Sequence, residues 1–367
     1  MLSFHPLKVA SVERAAEDAA CVTMEVPPAL RDAYAHRAGQ YVTVRRMIGE
    51  REERRTYSIV TPPGRGILKL GVRVQTGGRM SGALGLELRA GEWLDVGTPM
   101  GRFHTAISAE REYSYLAFAA GSGITPILSL AAEVLAQEPR SRFTLIYGNR
   151  SIARTMFLED TLALKNRYID RFAVHFVMSR EPQQTEWLNG RIDGPKVREL
   201  ALHMPQIATA DEYLICGPGD MVDEVRAALK ALNGNAQIRF ERFAAAAGVP
   251  AGAPTGAPRP VPQAAPAAPG TQDILATISG VMDGRRRSFS MASGDESVLA
   301  AAERAGLELP FSCRSGICAT CRARITDGAA VMTHNIALEP WETEAGFVLC
   351  CQARPTTRTL DISYDHK

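Results

Sequence analysis

The segment from residue 244 to residue 270 divides the chain, because it cannot contribute to a hydrophobic core. Ala, Pro and Gly fill 22 of its 27 positions, as 11 Ala, 7 Pro and 4 Gly. Such a segment lacks the large apolar side chains that offset the entropy lost when a backbone is ordered, and its prolines favour extended geometry. The sequence therefore predicts a linker over 244–270, with folded parts on either side of it.

The part before the linker changes its pattern near residue 105. Residues 1–105 contain short runs of alternating or β-branched residues separated by Pro and Gly, such as 40–44 and 68–74, and they predict an antiparallel β-barrel. Residues 106–243 alternate apolar strands with helical patterns, which predicts an α/β domain with a doubly wound parallel sheet. Residues 271–367 hold a hairpin pattern, a short helix and a cysteine-rich loop, and we predict that they form a third domain.

Charge and hydropathy argue against two classes of partner. The 42 Lys and Arg are nearly cancelled by 40 Asp and Glu, so a dedicated nucleic-acid binder is not expected. The most apolar stretch, 115–136, is interrupted by Gly121, Gly123 and Pro126, which is typical of a buried strand, a turn and a helix rather than a membrane span. The N-terminal sequence has no basic segment followed by an apolar run, so no export signal is expected. We therefore expect a soluble, cytoplasmic protein that binds neither nucleic acid nor membrane.

The cysteines point to a metal centre. The spacing Cys313-x4-Cys318-x2-Cys321, followed by Cys351 after 29 residues, is that of a plant-type 2Fe–2S cluster bound by four thiolates. A structural zinc site and free buried thiols are the alternatives, although zinc sites usually use two short-spaced pairs. The fourth ligand stays open between Cys351 and the adjacent Cys350, because neighbouring residues of a strand point to opposite faces.

Three other motifs lie within or directly after predicted strands, and each is weak alone. Arg55-x-Tyr57-Ser58 could equally be an ordinary strand with a tyrosine facing a core. The glycine-rich segment 121–126 joins a strand to a helix, the context in which backbone N–H groups bind a pyrophosphate. The segment 216–221 is a second strand-to-helix junction, at the edge of a parallel sheet where ligands bind.

Together these motifs resemble the ferredoxin–NADP reductase superfamily joined to a C-terminal plant-type ferredoxin, and within it the reductases of phenylacetyl-CoA epoxidases. The similarity covers nearly the whole chain. Its segments are 4–5, 39–40, 55–58, 120–126, 145–150, 190–194, 216–218, 241–243, 313–321, 335–340 and 346–352. The resemblance implies a multidomain protein with an FAD-binding antiparallel β-barrel, an NADP-binding α/β parallel-sheet domain and a C-terminal β-grasp ferredoxin domain.

The resemblance also implies roles for individual residues at the flavin. Arg55 matches the residue that pairs with the flavin phosphate, Tyr57 the ring that stacks on the isoalloxazine, and Ser58 the hydroxyl near its N5 edge. Gly78 and Ser81 match the turn that holds the pyrophosphate of FAD.

For the nicotinamide nucleotide, the dinucleotide loop is matched by Gly121, Gly123 and Thr125. Four further residues match positions beside the nicotinamide and the flavin: Cys216, Gly217, Glu241 and Phe243. The catalytic set implied by the resemblance is Tyr57, Ser58, Cys216, Glu241 and Phe243.

The choice of NADPH over NADH depends on cations around the 2′-phosphate. Arg150 after one strand, and Ser179 and Arg180 after the next, occupy positions that bind this phosphate in similar reductases. Solvated arginines at strand ends are the alternative. We expect NADPH.

The predicted function is electron transfer from NADPH through FAD and a 2Fe–2S cluster to the oxygenase subunits of a multicomponent monooxygenase. By resemblance, that acceptor is a diiron enzyme that epoxidises phenylacetyl-CoA. A Rieske-type or ketosteroid oxygenase is the nearest alternative. A flavin enzyme with a structural zinc module is another alternative, as is a flavin-free binding unit, which the Arg55, Tyr57 and Ser58 motif disfavours.

Overall fold

The computed structural model describes residues 2–243 and 274–365, which form two compact units. The predicted linker, 244–270, lies outside the described residues. The unit of residues 2–243 contains a barrel and a parallel sheet, and the unit of residues 274–365 is a smaller mixed sheet with two short helices.

Six antiparallel strands form the barrel in the order β4-β3-β6-β1-β2-β5. Their bounds are β1 Phe4–Ala16, β2 Ala19–Glu25, β3 Tyr41–Ile48, β4 Arg51–Ser58, β5 Ile67–Arg73 and β6 Trp93–Gly97. A bridge between Ile59 and Leu70 joins the two outer strands, so the sheet closes on itself. Alternate residues such as Leu70 and Val72 are fully buried in the barrel core. The short helix α1, Arg79–Gly82, follows β5.

A five-stranded parallel sheet follows, in the order β11-β10-β7-β8-β9. Its strands are β7 Ser114–Ala120, β8 Arg142–Asn149, β9 Phe172–Met178, β10 Glu212–Pro218 and β11 Gln237–Phe243. The helices between them are α2 Ile124–Gln137, α3 Leu158–Arg167, α4 Gly194–His203 and α5 Gly219–Leu232. The chain begins in the middle of this sheet at β7, builds outward to β9, and returns to the other side of β7 with β10. The order therefore reverses between β7 and β10, which is where doubly wound sheets bind ligands.

The unit of residues 274–365 has a mixed sheet in the order β13-β12-β16-β14-β15, in which only β12 and β16 are parallel. Its elements are β12 Ile274–Met282, β13 Arg285–Ala292, α6 Val298–Arg304, β14 Arg322–Met332, α7 Pro340–Glu344, β15 Phe347–Leu349 and β16 Ala353–Ser363. Asp283 and Gly284 both have positive φ, as the two-residue turn between β12 and β13 requires. The Ser297 hydroxyl accepts a hydrogen bond from the Ala300 amide at 3.2 Å and caps α6. The three predicted fold types, barrel, parallel sheet and β-grasp ferredoxin, are confirmed.

Candidate functional site

A glycine-rich turn lies at the point where the parallel sheet reverses its order. Gly121 to Gly123 follow β7, and Cys216 lies near the end of β10 beside them. A Cβ on Gly123 would collide with the carbonyl group of Cys216 and lie 2.9 Å from the Gly217 nitrogen. Gly121 has a φ of +56°, which favours glycine. Both glycines are therefore required for two backbone segments to meet at this edge.

The turn leads into the 14-residue helix α2, whose first turn carries no acidic residue. The Thr125 hydroxyl donates to the Ser122 carbonyl at 2.9 Å, and the buried Tyr147 hydroxyl lies 2.9 Å from the Gly121 carbonyl oxygen. These contacts fix the loop while leaving amide groups at the start of a helix, a site suited to the pyrophosphate of a dinucleotide.

The barrel and the parallel sheet meet in a small polar cluster at the same edge. Ser58 is the last residue of β4, and its hydroxyl is hydrogen-bonded to the carboxyl group of Glu241 on β11. Glu241 lies beside Cys216 in the parallel register, and Phe243 lies beside Pro218. The structure thus brings together Ser58, Cys216 and Glu241, which are 183 positions apart at their extremes (241 − 58).

Burial governs the charge of this cluster. It raises the pKa of Glu241 to about 8, against the lowering effect of the Ser58 hydrogen bond. The Oε2 atom of Glu241 is inaccessible and has no hydrogen-bond partner within residues 2–243 and 274–365. Burial, assisted by the neighbouring Glu241, also holds the pKa of the Cys216 thiol well above its usual range. At neutral pH both groups therefore hold their protons, and neither adds a negative charge to the edge.

The flavin motif lies on β4. Arg55 is half-exposed, with its NH2 atom 3.0 Å from Glu53 Oε2, and Tyr57 packs against the barrel core. Burial raises the pKa of Tyr57, so its phenol stays neutral. Glu53 is only 8% exposed, and its other oxygen lies 3.4 Å from NH1 of Arg79 on α1. The carboxylate thereby holds two half-exposed guanidinium groups side by side, an arrangement suited to a diphosphate.

Sequence reasoning missed Glu53 and Arg79. Arg79 follows Gly78 directly, and Glu53 lies two residues before Arg55 on the same strand face, so both positions adjoin motifs that had been recognised. Their pairing was not visible because it joins β4 to α1.

The turn between β5 and α1 is closely packed. Ser81 Oγ accepts from the Gln75 amide at 3.1 Å and donates to the Gly78 carbonyl at 3.2 Å. A Cβ on Gly78 would collide with that hydroxyl and lie 2.9 Å from Gln75 Cβ. The structure therefore places Gly78 and Ser81 in one rigid turn that a side chain at residue 78 would disturb.

The predicted phosphate-binding arginines lie beside further cations. Arg150 follows β8 and Arg180 follows β9, and their backbones are joined by a hydrogen bond of 2.9 Å. Partial burial and the repulsion of Arg180, Arg154 and Arg73 lower the pKa of Arg150. Asp18 is the carboxylate paired with Arg73 and Arg154 in this group. The Ser179 hydroxyl donates to the Asn149 carbonyl at 3.2 Å and so lies at the same strand ends. The cluster is suited to a phosphate dianion.

The four predicted cluster thiols form two pairs. The nearby Cys318 thiol lowers the pKa of Cys313, and the nearby Cys321 thiol likewise lowers the pKa of Cys351. Within the described ranges, no three His, Cys, Asp or Glu side chains are grouped as the ligands of one metal ion would be. Two thiol pairs suit a 2Fe–2S centre, which Cys313, Cys318, Cys321 and Cys351 would hold as thiolate ligands.

The loop that carries these thiols is shaped by Gly316. Its φ is +76°, and a Cβ there would lie 2.9 Å from the His334 carbonyl oxygen. Amide groups reach two of the sulfurs: the Ser315 amide lies 3.4 Å from Cys313 Sγ, and Gln352 Nε2 lies 3.7 Å from Cys351 Sγ. Such N–H donors stabilise the negative charge of a bound cluster.

Cys350 faces away from this group. It is fully buried beside Tyr364, and burial raises its pKa to about 12. Its neighbour Cys351 lies against Cys321. The two adjacent cysteines therefore point to opposite sides, one into the core and one toward the other three thiols.

Comparison with known protein families divides the chain into three matched regions. Residues 6–105 match the oxidoreductase FAD-binding domain, residues 118–227 the oxidoreductase NAD-binding domain, and residues 281–356 the 2Fe-2S iron-sulfur cluster binding domain. These matches confirm the predicted FAD, nicotinamide-nucleotide and 2Fe–2S cofactor classes.

Two relatives are similar over nearly the full length. A component of the 1,2-phenylacetyl-CoA epoxidase of Escherichia coli (strain K12) is 39% identical over 368 residues, covering 100% of this chain and 99% of that protein. The ferredoxin reductase component of 3-ketosteroid-9-alpha-monooxygenase from Rhodococcus rhodochrous is 28% identical, covering 98% and 96%.

Among solved structures, phthalate dioxygenase reductase shares the fold with a TM-score of 0.54 and 20% identity, covering 98% of each chain. None of the helices within residues 2–243 and 274–365 has the length and apolar character needed to cross a membrane.

Proposed function

The chain belongs to the family of FAD- and NAD-binding reductases with a C-terminal 2Fe–2S domain that includes this component of 1,2-phenylacetyl-CoA epoxidase, and we propose that it supplies electrons from NADPH to a diiron oxygenase that epoxidises phenylacetyl-CoA. It is an oxidoreductase and a reductase component. The observation that carries the proposal is the cluster of Ser58, Cys216 and Glu241, because it joins the flavin-type barrel to the edge of the sheet where a dinucleotide binds.

Bound FAD would supply the chemistry that converts the two electrons of a hydride from NADPH into single electrons for the 2Fe–2S cluster. The residues at the carboxyl edge of the sheet contribute to that transfer through their backbone packing and their lack of charge. Gly123 and Cys216 bring their backbones together, and the neutral Cys216 thiol and Glu241 carboxyl add no negative charge beside an uncharged reduced nicotinamide. Phe243 follows on β11 and shields the same face from water.

Flavin is proposed to bind along β4 and α1. Tyr57 supplies an aromatic face for the isoalloxazine, Arg55 a cation for the phosphate, and Ser58 a hydroxyl near the reacting edge. The turn of Gly78 and Ser81 supplies backbone groups for the pyrophosphate. An Arg55→Gln variant should lose flavin on gel filtration, and an Arg286→Gln variant, at an arginine 61% exposed in the unit of residues 274–365, should keep it.

NADPH is proposed to bind with its pyrophosphate at the start of α2, where Gly121, Gly123 and Thr125 lie, and with Gly217 beside the ribose. Its 2′-phosphate would meet Arg150, Ser179 and Arg180. An Arg150→Gln, Arg180→Gln double variant should raise the KM for NADPH about tenfold or more while leaving the KM for NADH nearly unchanged, since each lost charge-assisted hydrogen bond is worth about 1.5–3 kcal/mol. Equal effects on the two nucleotides would contradict the assignment.

The proposed cluster ligands are Cys313, Cys318, Cys321 and Cys351. A Cys351→Ser variant should lose iron, sulfide and the cluster's visible absorbance, and the matched Cys350→Ser variant should retain them. The reverse result would identify Cys350 as the fourth ligand. A protein that binds zinc without acid-labile sulfide would instead favour a structural role for this domain, although the two thiol pairs favour two irons.

The oxygenase partner can be identified by electron delivery. Purified reductase, NADPH and the oxygenase components of phenylacetyl-CoA epoxidase should together convert phenylacetyl-CoA, whereas substitution of a ketosteroid or Rieske-type oxygenase should give little product. Preferential support of either of those oxygenases would contradict the proposed partner.

A further inference from the structure

A three-residue bridge, next to Arg150 in the cation group described above, joins the barrel to the segment after β8. We propose that Asp18 is a positioning residue for hydride transfer, which holds Arg73 of the barrel and Arg154 of the parallel-sheet region together and so sets the spacing between flavin and nicotinamide. These three residues are called the Asp18 bridge. The proposal rests on the proposed function, because it concerns the hydride transfer assigned there.

The Asp18 bridge is formed by well-placed charged groups. Asp18 lies at the β1–β2 turn, and both its oxygens face NH1 of Arg73, at 2.6 and 2.8 Å. The Arg154 guanidinium also pairs with Asp18 Oδ2. Arg73 NH2 donates to the Arg154 carbonyl at 2.9 Å. Asp18 and Arg73 are only 17% and 16% exposed, so solvent screens this pair less than an exposed one.

Backbone contacts tie the same two regions. The Glu17 amide donates to the Ala153 carbonyl at 2.8 Å, and the Phe157 amide donates to the Ala15 carbonyl at 3.2 Å. Phe157 has a φ of 54°, a conformation that is costly for a bulky residue and that persists where surrounding contacts enforce it. The barrel hairpin is therefore fixed to the segment after β8 at Ala15 and Glu17, just before Asp18.

The bridge reaches the dinucleotide loop directly. The position that a Cβ of Gly121 would occupy lies 3.9 Å from Arg73 Nε, an atom that is buried and without a hydrogen-bond partner in the described part of the chain. Two residues earlier on β5, Gly71 faces α2: a Cβ there would lie 2.5 Å from Thr125 Cγ2 and 2.7 Å from Phe157 Cε2. The absence of a side chain at residue 71 lets the flavin-type barrel approach the nucleotide loop, and Asp18 secures that approach.

Small errors of placement are costly in hydride transfer, since a displacement of about 1 Å can lower a rate about 100-fold. A bridge that sets spacing should therefore affect the rate of flavin reduction at saturating NADPH more than the KM for NADPH. Asp18→Asn removes the charge that holds both arginines, and Gly71→Ala inserts a methyl group between the barrel and Thr125.

The test is stopped-flow reduction of the flavin in the full-length holoprotein, with hydrogen exchange of the amides of Glu17 and Phe157 as a readout independent of turnover. Asp18→Asn and Gly71→Ala should each slow flavin reduction about tenfold or more, change the KM for NADPH by less than about threefold, and speed exchange at those amides. Asp18→Glu, which keeps a carboxylate, should retain more of the wild-type rate of flavin reduction than Asp18→Asn does. The controls are Asp95→Asn, which breaks the Arg45–Asp95 pair of the barrel, and Gly280→Ala, where the nearest atom would be 3.9 Å from the added carbon.

Reduction at the wild-type rate in both variants, with unchanged exchange, would overturn the proposal. So would a rise in KM alone, which would assign Asp18 to nucleotide affinity instead of spacing. If Asp18→Asn loses its flavin, the proposal is tested on Gly71→Ala and Arg154→Gln instead. The measurements are again the rate of flavin reduction and the amide exchange of Glu17 and Phe157. Failure of the wild-type protein to be reduced by either nucleotide would refute the proposed function, whereas the exchange measurement would still test the bridge.

Discussion

The two edges of the parallel sheet differ in how far the hydrogen-bonding capacity of their buried carboxyl groups is satisfied. At the amino edge, Glu212 accepts from the Thr105 hydroxyl at 2.7 Å and pairs with Arg239. Glu138 there accepts from the Ser141 hydroxyl at 2.7 Å and the Tyr115 hydroxyl at 3.1 Å. At the carboxyl edge, Glu241 has one bond from Ser58 and an Oε2 without a partner among the residues described.

This difference assigns the carboxyl groups of the amino edge to stability and Glu241 of the carboxyl edge to chemistry. The amino edge satisfies its carboxylates fully and uses them to anchor the chain between barrel and sheet, because Thr105 and Ser108 belong to that connection. The carboxyl edge leaves a proton-binding group unsatisfied, at a cost in stability, where we propose that the nucleotide binds. Substitutions at the two edges should therefore change different observables.

The largest effect is expected at Glu212. Glu212→Ala should lower the free energy of unfolding by about 3 kcal/mol, because it leaves the Thr105 hydroxyl and the Arg239 guanidinium without their buried acceptor. Arg239 is 41% exposed and can turn to water, which limits the loss. Denaturant titration measures it. The exposed Glu199, paired with Lys196, provides the control: Glu199→Ala should cost less than about 1 kcal/mol. Equal losses would remove the distinction between a buried anchor and a surface pair.

The next effect is a pH dependence at Glu241. Burial raises its folded-state pKa to about 8 from an ordinary 4.5, so between these pH values the folded protein holds a proton that the unfolded chain releases. The free energy of unfolding should then fall as pH rises through this window, by up to about 1.4 kcal/mol per pH unit. Glu241→Gln should remove that slope in denaturation curves taken at several pH values. A slope that persists unchanged would show that another group titrates.

A smaller effect is expected at Ser58. Its hydrogen bond holds the pKa of Glu241 down, so Ser58→Ala should raise that pKa further, by somewhat less than one unit for a bond worth about 1 kcal/mol. The pH dependence of flavin reduction should move upward by the same amount. Ser129→Ala removes a buried hydroxyl that donates to the Thr61 carbonyl at 3.3 Å and should leave the profile in place. A downward shift in Ser58→Ala would contradict the assigned bond.

The smallest effect is expected at Tyr115. Tyr115→Phe removes one of several donors to Glu138, which keeps the Ser141 hydroxyl and the Ser108 amide at 3.1 Å. The free energy of unfolding should fall by about 1 kcal/mol or less, with the rate of flavin reduction unchanged. A large loss in the rate of flavin reduction would show that changes at the amino edge affect the site at the carboxyl edge.

Much of the fold followed from local pattern. Period-2 runs before residue 105, the alternation of strands and helices after it, and the 4-2-29 cysteine spacing each predict a domain type that the structure has. Glycine motifs were equally informative, because a backbone that needs a positive φ, as at Gly121 and Gly316, accepts few other residues. Such signals are local and can be read along the chain.

The missed residues all act across distant segments. Glu53 pairs with Arg79 across two elements, and Asp18 pairs with Arg73 and Arg154, which lie 55 and 136 positions away. A lone Asp or Arg carries no local signature of its partner, because ion pairing depends on distance in space. Charge counts alone could not have separated these residues from solvated ones.

The sequence by itself determined the three domain types and the cofactor classes, because hydrophobic period, glycine position and cysteine spacing are local properties of the chain, and it left the fourth thiol open between Cys350 and Cys351. Only the tertiary structure decided which groups shift one another's pKa values and which side chains face each other. Cys350 turns into the core toward Tyr364 while Cys351 meets Cys321, and Ser58 meets Glu241 across two domain types. Burial and contact arise when distant segments pack, so pKa values and pairings are properties of the folded molecule.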